Sequence, residues 1–165
     1  MKSRNLNPPA PMGDDLLEVA LILAKMEQTA SPRQAFLRRA VSTAYYAVFQ
    51  SLAARCASAL VTFSGSDSET YTLVFRGLEH ASARKMFEAK DILAKFGPEI
   101  EILANAFVIL QRAPIGADHV PGPFPFGQSK VAEHIEQARD ACEIVQNIPL
   151  PIMRRLAAQL IVKRR

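Results

Sequence analysis

Along most of this chain apolar residues return every three or four positions, the spacing that lines one face of an α-helix. The clearest run lies at residues 32–60. There Phe36, Ala40, Val41, Ala44, Val48, Leu52, Cys56 and Ala59 form one stripe, while Arg38, Arg39, Ser42, Tyr46 and Gln50 fall elsewhere on the circumference. Ser31-Pro32 opens this helix as N-cap and first helical residue. Asp14 and Asp15 precede Leu16, Leu17, Ala20, Leu21 and Ala24, which reads as a first helix with acid at its positive end. Ser64-Gly65-Ser66-Asp67 is a turn. A third helix is predicted at residues 68–80 and a fourth at 82–96, closed by Gly97-Pro98; the two could equally be one broken helix. A fifth follows at 99–112, with Ile100, Leu103, Phe107 and Leu110 inward. Pro114, Gly116, Pro121, Gly122, Pro123, Pro125 and Gly127 mark residues 113–127 as one long irregular loop. Further helices are predicted at 129–146 and 151–162. No segment alternates as a half-buried strand does. The expectation is an all-α fold, an antiparallel bundle of five to seven helices over residues 14–165, behind a flexible proline-containing leader at 1–13.

Composition fits that picture. A chain of 165 residues is one domain's worth, and at that size folding buries about 70% of the chain's surface without staples. With 49% hydrophobic and 22% charged residues it is not a disordered chain. No uncharged apolar run reaches the ~20 residues of a membrane helix, so no membrane partner is expected. Lys2 and Arg4 are followed by Asn, Pro and Asp instead of an apolar segment, so no secretory signal is read and a cytoplasmic location is expected. Cys56 and Cys142 are too few for a disulfide framework or a structural zinc site and read as buried thiols. The net charge of +4 is a mild bias, but its distribution is uneven. Residues 28–66 hold Arg33, Arg38, Arg39 and Arg55 and no acid, and after Glu143 only Arg154, Arg155, Lys163, Arg164 and Arg165 carry charge.

The candidate chemistry is sparse. The histidines have no short ligand spacing and the cysteines no ligand nearby, so no metal and no cofactor are expected. There is no phosphate-cradling glycine loop and no G-x-S-x-G turn. Glu99 and Glu101, two apart on a helix, point in different directions. His80 is read at a helix C-terminus, where the dipole favours an imidazolium. His134, among Lys130, Glu133, Gln137 and Arg139, is read as exposed. His119 stands beside Asp118 in the long loop, six residues intervening after Arg112. An imidazole and a guanidinium suit RNA cleavage without a metal, because the ribose 2′-OH is itself the nucleophile. One Arg and one His make half an acid–base site, so a symmetric dimer is the natural arrangement.

Residues 37–49, Leu-Arg-Arg-Ala-Val-Ser-Thr-Ala-Tyr-Tyr-Ala-Val-Phe, resemble the second-helix signature of bacterial HEPN-domain proteins. Leu78-Glu79-His80 is similar to a second block of one HEPN subgroup. The run from Leu110-Gln111-Arg112 to Ala117-Asp118-His119 is similar to a third, and the basic C-terminal segment from Ile148-Pro149 fits the same subgroup. The likeness covers most of the chain from about residue 14. It implies a helical, usually dimeric domain, many of whose relatives are metal-independent endoribonucleases of toxin–antitoxin and defence systems. It implies Arg112 and His119 as the catalytic pair of an Arg, four to six residues, His motif, and RNA as substrate. Arg38 and Arg39 would then steer the RNA backbone, and a nucleotidyltransferase-type antitoxin would be the partner protein. Ala113 follows the arginine where the family usually has a polar residue, and His119 stands where the subgroup often has Tyr. A non-catalytic HEPN module that binds a partner protein or a nucleotide is the alternative.

Overall fold

The computed structural model describes residues 12–26, 30–61, 68–119 and 124–162. Among them are eight helices and no strand: α1 (Met12–Lys25), α2 (Ala30–Leu60), α3 (Ser68–Gly77), α4 (His80–Glu88), α5 (Lys90–Leu93), α6 (Pro98–His119), α7 (Gln128–Asn147) and α8 (Leu150–Ile161). The fold is an all-α helical bundle, as the apolar period requires. None of the described helices is long and apolar enough to cross a membrane.

α2 is the axis of the bundle. Its 31 residues give a rod about 46 Å long, and α1, α3, α6, α7 and α8 all pack on it. Because it is covered from several sides, burial goes beyond the single stripe read in the sequence. Tyr45, Ala47, Phe49, Ala53 and Ala57 are buried as well as Val41, Ala44, Val48, Leu52 and Cys56. The alanines let neighbouring helices approach closely, and Gly13 does the same for α1, since a Cβ there would run into Ser51 Oγ. From α6, Ile100, Leu103, Phe107 and Leu110 enter the core, as their spacing predicts. α7 adds Val131, Ile135, Ala138, Cys142 and Val145, and α8 adds Met153, Leu156 and Leu160.

Four sequence expectations change. Ala89 adopts an extended backbone, φ −83 and ψ 91, which divides the predicted fourth helix into α4 and the single turn α5. The third helix ends at Gly77, so His80 becomes the first residue of α4 instead of the last of α3. It therefore sits at the positive end of a helix dipole, the reverse of the expected placement. α6 does not stop at Arg112 but runs through Pro114 to His119, so the first half of the predicted loop is helical. A proline removes one helical hydrogen bond and bends a helix; in a long helix that is a kink, not a stop. Lastly, His134 is 5% exposed, facing inward beside Ile135.

The rest of the predicted loop is docked where it is described. Phe124 N–H donates to Gln34 Oε1 at 2.9 Å, its buried ring lies under the Arg38 guanidinium at 5.7 Å, and the Phe126 edge meets it at 5.2 Å. Much of the basic character serves the fold. Arg55 donates to the Ile148 carbonyl at 3.1 Å, Arg154 to Ala59 at 3.0 Å and Arg155 to Lys95 at 3.4 Å. Both cysteines are buried free thiols, as read from their number. Burial pushes Cys56 up to about 12 and Cys142 up to about 11, which keeps both protonated and unreactive at neutral pH.

Candidate functional site

The polar groups that the bundle brings together lie where α2, α4 and α6 meet. α2 contributes Tyr45 and Tyr46, neighbours on the helix that face in different directions: Tyr45 is buried and Tyr46 is 43% exposed. Tyr45 is packed against the Phe107 ring edge at 5.5 Å, and its hydroxyl reaches His80 Nδ1 at 2.6 Å. The His80 imidazole stacks on Phe49 at 3.8 Å with a 14° tilt and meets the Tyr46 ring edge-on at 5.7 Å. Gln111 of α6, 4% exposed, donates from Nε2 to the His80 carbonyl at 3.0 Å, which ties the start of α4 to α6. Its Oε1 is buried without a hydrogen-bond partner among the described residues.

One turn along α4 from His80 comes Arg84, and one turn further Glu88, so the three share a helix face. Glu88 Oε1 accepts from Arg112 of α6 at 2.6 Å and lies 4.0 Å from Arg84 Nε. The Arg112 side chain is 66% exposed, those of Arg84 and Glu88 about 40% and 38%. The strip thus runs from an aromatic, half-buried end at Tyr46 and His80 to an open, charged end at Arg84, Glu88 and Arg112.

Electrostatics follow burial. Desolvation raises the Tyr45 phenol well above the ordinary tyrosine range, with a hydrogen bond from Gln111 and the charge of Arg84 pulling the other way. Burial lowers His80 below the ordinary histidine value, so its imidazole is neutral at pH 7. Such a strip offers ring faces, one neutral imidazole and two guanidiniums, the donor set that suits a phosphate and an adjoining flat ring. Among the described residues no group of three or more His, Cys, Asp or Glu side chains is placed to hold a metal ion.

Of the residues singled out from sequence, Arg112 belongs to this strip. His119 is the last residue of α6; seven residues are about two turns, so positions 112 and 119 lie on one side of that helix, roughly 10 Å apart along its axis. The His119 side chain lies outside the described residues. Arg38 and Arg39 lie on α2 two turns before Tyr45 and Tyr46. Arg38 is half-buried over Phe124, and Arg39 is exposed. Tyr45, Gln111 and Arg84 escaped the sequence reading. Two signals were there: a tyrosine inside an otherwise aliphatic and alanine-rich core run, and a glutamine directly after the inward Leu110.

No family model matches the chain, and neither the curated proteins nor the solved structures contain a match to it.

Proposed function

We propose that this chain is a HEPN-like helical domain that acts on RNA as a metal-independent endoribonuclease of toxin or defence type, working as a homodimer. The observation that carries this reading is on α6: Arg112, two-thirds exposed and oriented by Glu88, shares one side of the helix with position 119, two turns on. In this reading the imidazole of His119 takes the proton of a ribose 2′-OH as the oxygen attacks phosphorus. The P–O5′ bond breaks, and an imidazolium, here the second protomer's, returns a proton to the leaving 5′-oxygen. Arg112 stabilises the charge that builds on the phosphoryl oxygens. Arg38 and Arg39, the latter exposed on α2, steer the RNA backbone.

The test is incubation of the pure protein with mixed RNAs in EDTA. Products ending in 2′,3′-cyclic phosphate are expected, with His119→Ala slowing the reaction by about 10²–10⁴. Arg112→Lys is expected to be costly too, since a point charge replaces a planar fork. No cyclic-phosphate ends from wild type at micromolar protein would remove the nuclease. The second reading is a non-catalytic module that binds a partner protein; a nucleotidyltransferase-type antitoxin as partner would instead favour the nuclease. Met12, Val19 and Ile22 of α1 and Met26 just beyond it favour the module: they are 54%, 45%, 56% and 38% exposed.

A further inference from the structure

The hydrogen-bond network at the start of α4 bears on the state of His80. The His80 carbonyl can only accept, so the Gln111 amide must present its NH2 group to it, as observed at 3.0 Å. Tyr45 has a single proton of its own, and His80 Nδ1 lies 2.6 Å away. With the phenol protonated, the hydroxyl can donate to Nδ1, and in that arrangement Nδ1 accepts. A neutral imidazole that accepts at Nδ1 carries its hydrogen on Nε2. The Phe49 stack beneath the ring sets its plane. In that arrangement His80 is a donor at the nitrogen that faces away from buried Tyr45.

The surroundings of that donor favour an anion. His80 opens α4, whose own hydrogen-bond ladder begins only at Ala83 N–H, so the positive end of the helix lies here. Arg84 stands one turn along the same face, and its contact with Glu88 is a loose 4.0 Å, whereas Glu88 holds Arg112 at 2.6 Å. Arg84 is therefore the guanidinium that an incoming anion can take. Beside them the Tyr46 ring, 43% exposed and edge-on to His80, offers a face of the right size for a nucleobase.

We propose that His80 Nε2–H, Arg84 and Tyr46 form a nucleotide subsite, with a phosphate on the His80–Arg84 side, the adjoining base on Tyr46, and Tyr45 as the positioning residue for His80. As a subsite for single-stranded RNA this rests on the RNA reading above. It is separate from Arg112 and His119, since an Nε2–H donor binds an anion but cannot serve as a general base.

The experiment titrates the full-length protein into a fluorescein-labelled, uncleavable 2′-O-methyl oligoribonucleotide of mixed sequence, in EDTA and at two salt concentrations. Arg84→Gln should weaken binding and lower the salt slope by about one. Tyr46→Ala should weaken it by roughly 5–100-fold at either salt, the loss of one stacked base. In parallel, 15N spectra of the histidine rings report the tautomer: wild-type His80 should show the Nε2–H form, and Tyr45→Phe should give a mixture. If wild type binds the oligonucleotide and both Arg84→Gln and Tyr46→Ala keep its affinity, the subsite is overturned and the RNA reading survives. If wild type binds no RNA, that reading falls, and inorganic phosphate and adenosine monophosphate decide the subsite. A shift of the His80 ring nitrogens by these ligands, lost in Arg84→Gln, keeps a nucleotide site without RNA; no shift removes it. A wild-type His80 in the Nδ1–H form overturns the proposal whatever the affinities.

Discussion

At the scale of single residues, the two described histidines show how burial overrides local sequence. His134 sits among Lys130, Glu133 and Gln137, a polar neighbourhood in the chain, yet its ring is buried against the Phe126 edge at 5.2 Å. Its Nε2 has no partner among the described residues. Desolvation lowers its affinity for a proton, with a hydrogen bond donated to the Gln137 side chain opposing. The unfolded chain, with an ordinary histidine pKa near ~6.5, takes up a proton there before the folded protein does. Stability therefore rises with pH through the window below about 6.5 and levels off above it. His80, lowered in the same direction by burial, adds to the same slope. His134→Phe is expected to flatten this dependence. Thermal midpoints at pH 7.5 and pH 5 should lie closer together in the variant than in wild type, and an unchanged gap would mean that the folded protein protonates His134 readily.

At the scale of elements, what matters is where helices stop. Gly97 adopts φ +94 just before Pro98, and the pair separates the turn after α5 from α6. A Cβ at Gly97 would meet nothing within 4 Å, so the cost of a side chain there is conformational alone. Gly97→Ala is expected to lower stability by about 1–2 kcal/mol in urea titrations, with no change in the slope of the transition. A neutral result would mean that the turn relaxes to negative φ. Pro114 is the opposite case. The sequence reading took it as a stop, but α6 continues past it for another turn and more, to His119. That one difference moves residue 119 from a loop to a helix position in register with Arg112.

For the molecule as a whole, stability rests on α2 and the helices packed around it. Leu52 and Phe107 are fully buried, one from α2 and one from α6. Leu52→Ala and Phe107→Ala should each cost roughly 2–5 kcal/mol, read as lower urea midpoints, because each deletes core volume that rigid neighbours cannot refill. Midpoints equal to wild type would mean that the α2–α6 seam is not the core. The interface also bears on function, since Phe107 supports the Tyr45 ring and, through it, His80. A cavity there should therefore disturb the His80 tautomer as well as the fold.

The sequence by itself determined the helical class and most of the core. Helical periodicity is a local property, and a chain that buries apolar residues at 3.6-residue spacing can bury them only as helices. Ile100, Leu103, Phe107 and Leu110, the α2 stripe beyond the half-buried Phe36, and the two buried thiols were all legible in this way. Element ends were less so: Ala89 interrupts the predicted fourth helix with an extended backbone that no turn motif announced, and α3 ends at Gly77, short of the predicted His80. The grouping of Tyr45, His80, Arg84, Gln111 and Arg112 was decided by the tertiary structure alone. These residues lie up to 67 positions apart in sequence and come from three helices, and nothing local records which helix faces cross. Whether a polar residue is solvated, as for Arg39, or buried and hydrogen-bonded, as for Gln111, depends on what packs over it. Packing over a side chain is a property of the assembled bundle, not of its sequence neighbours.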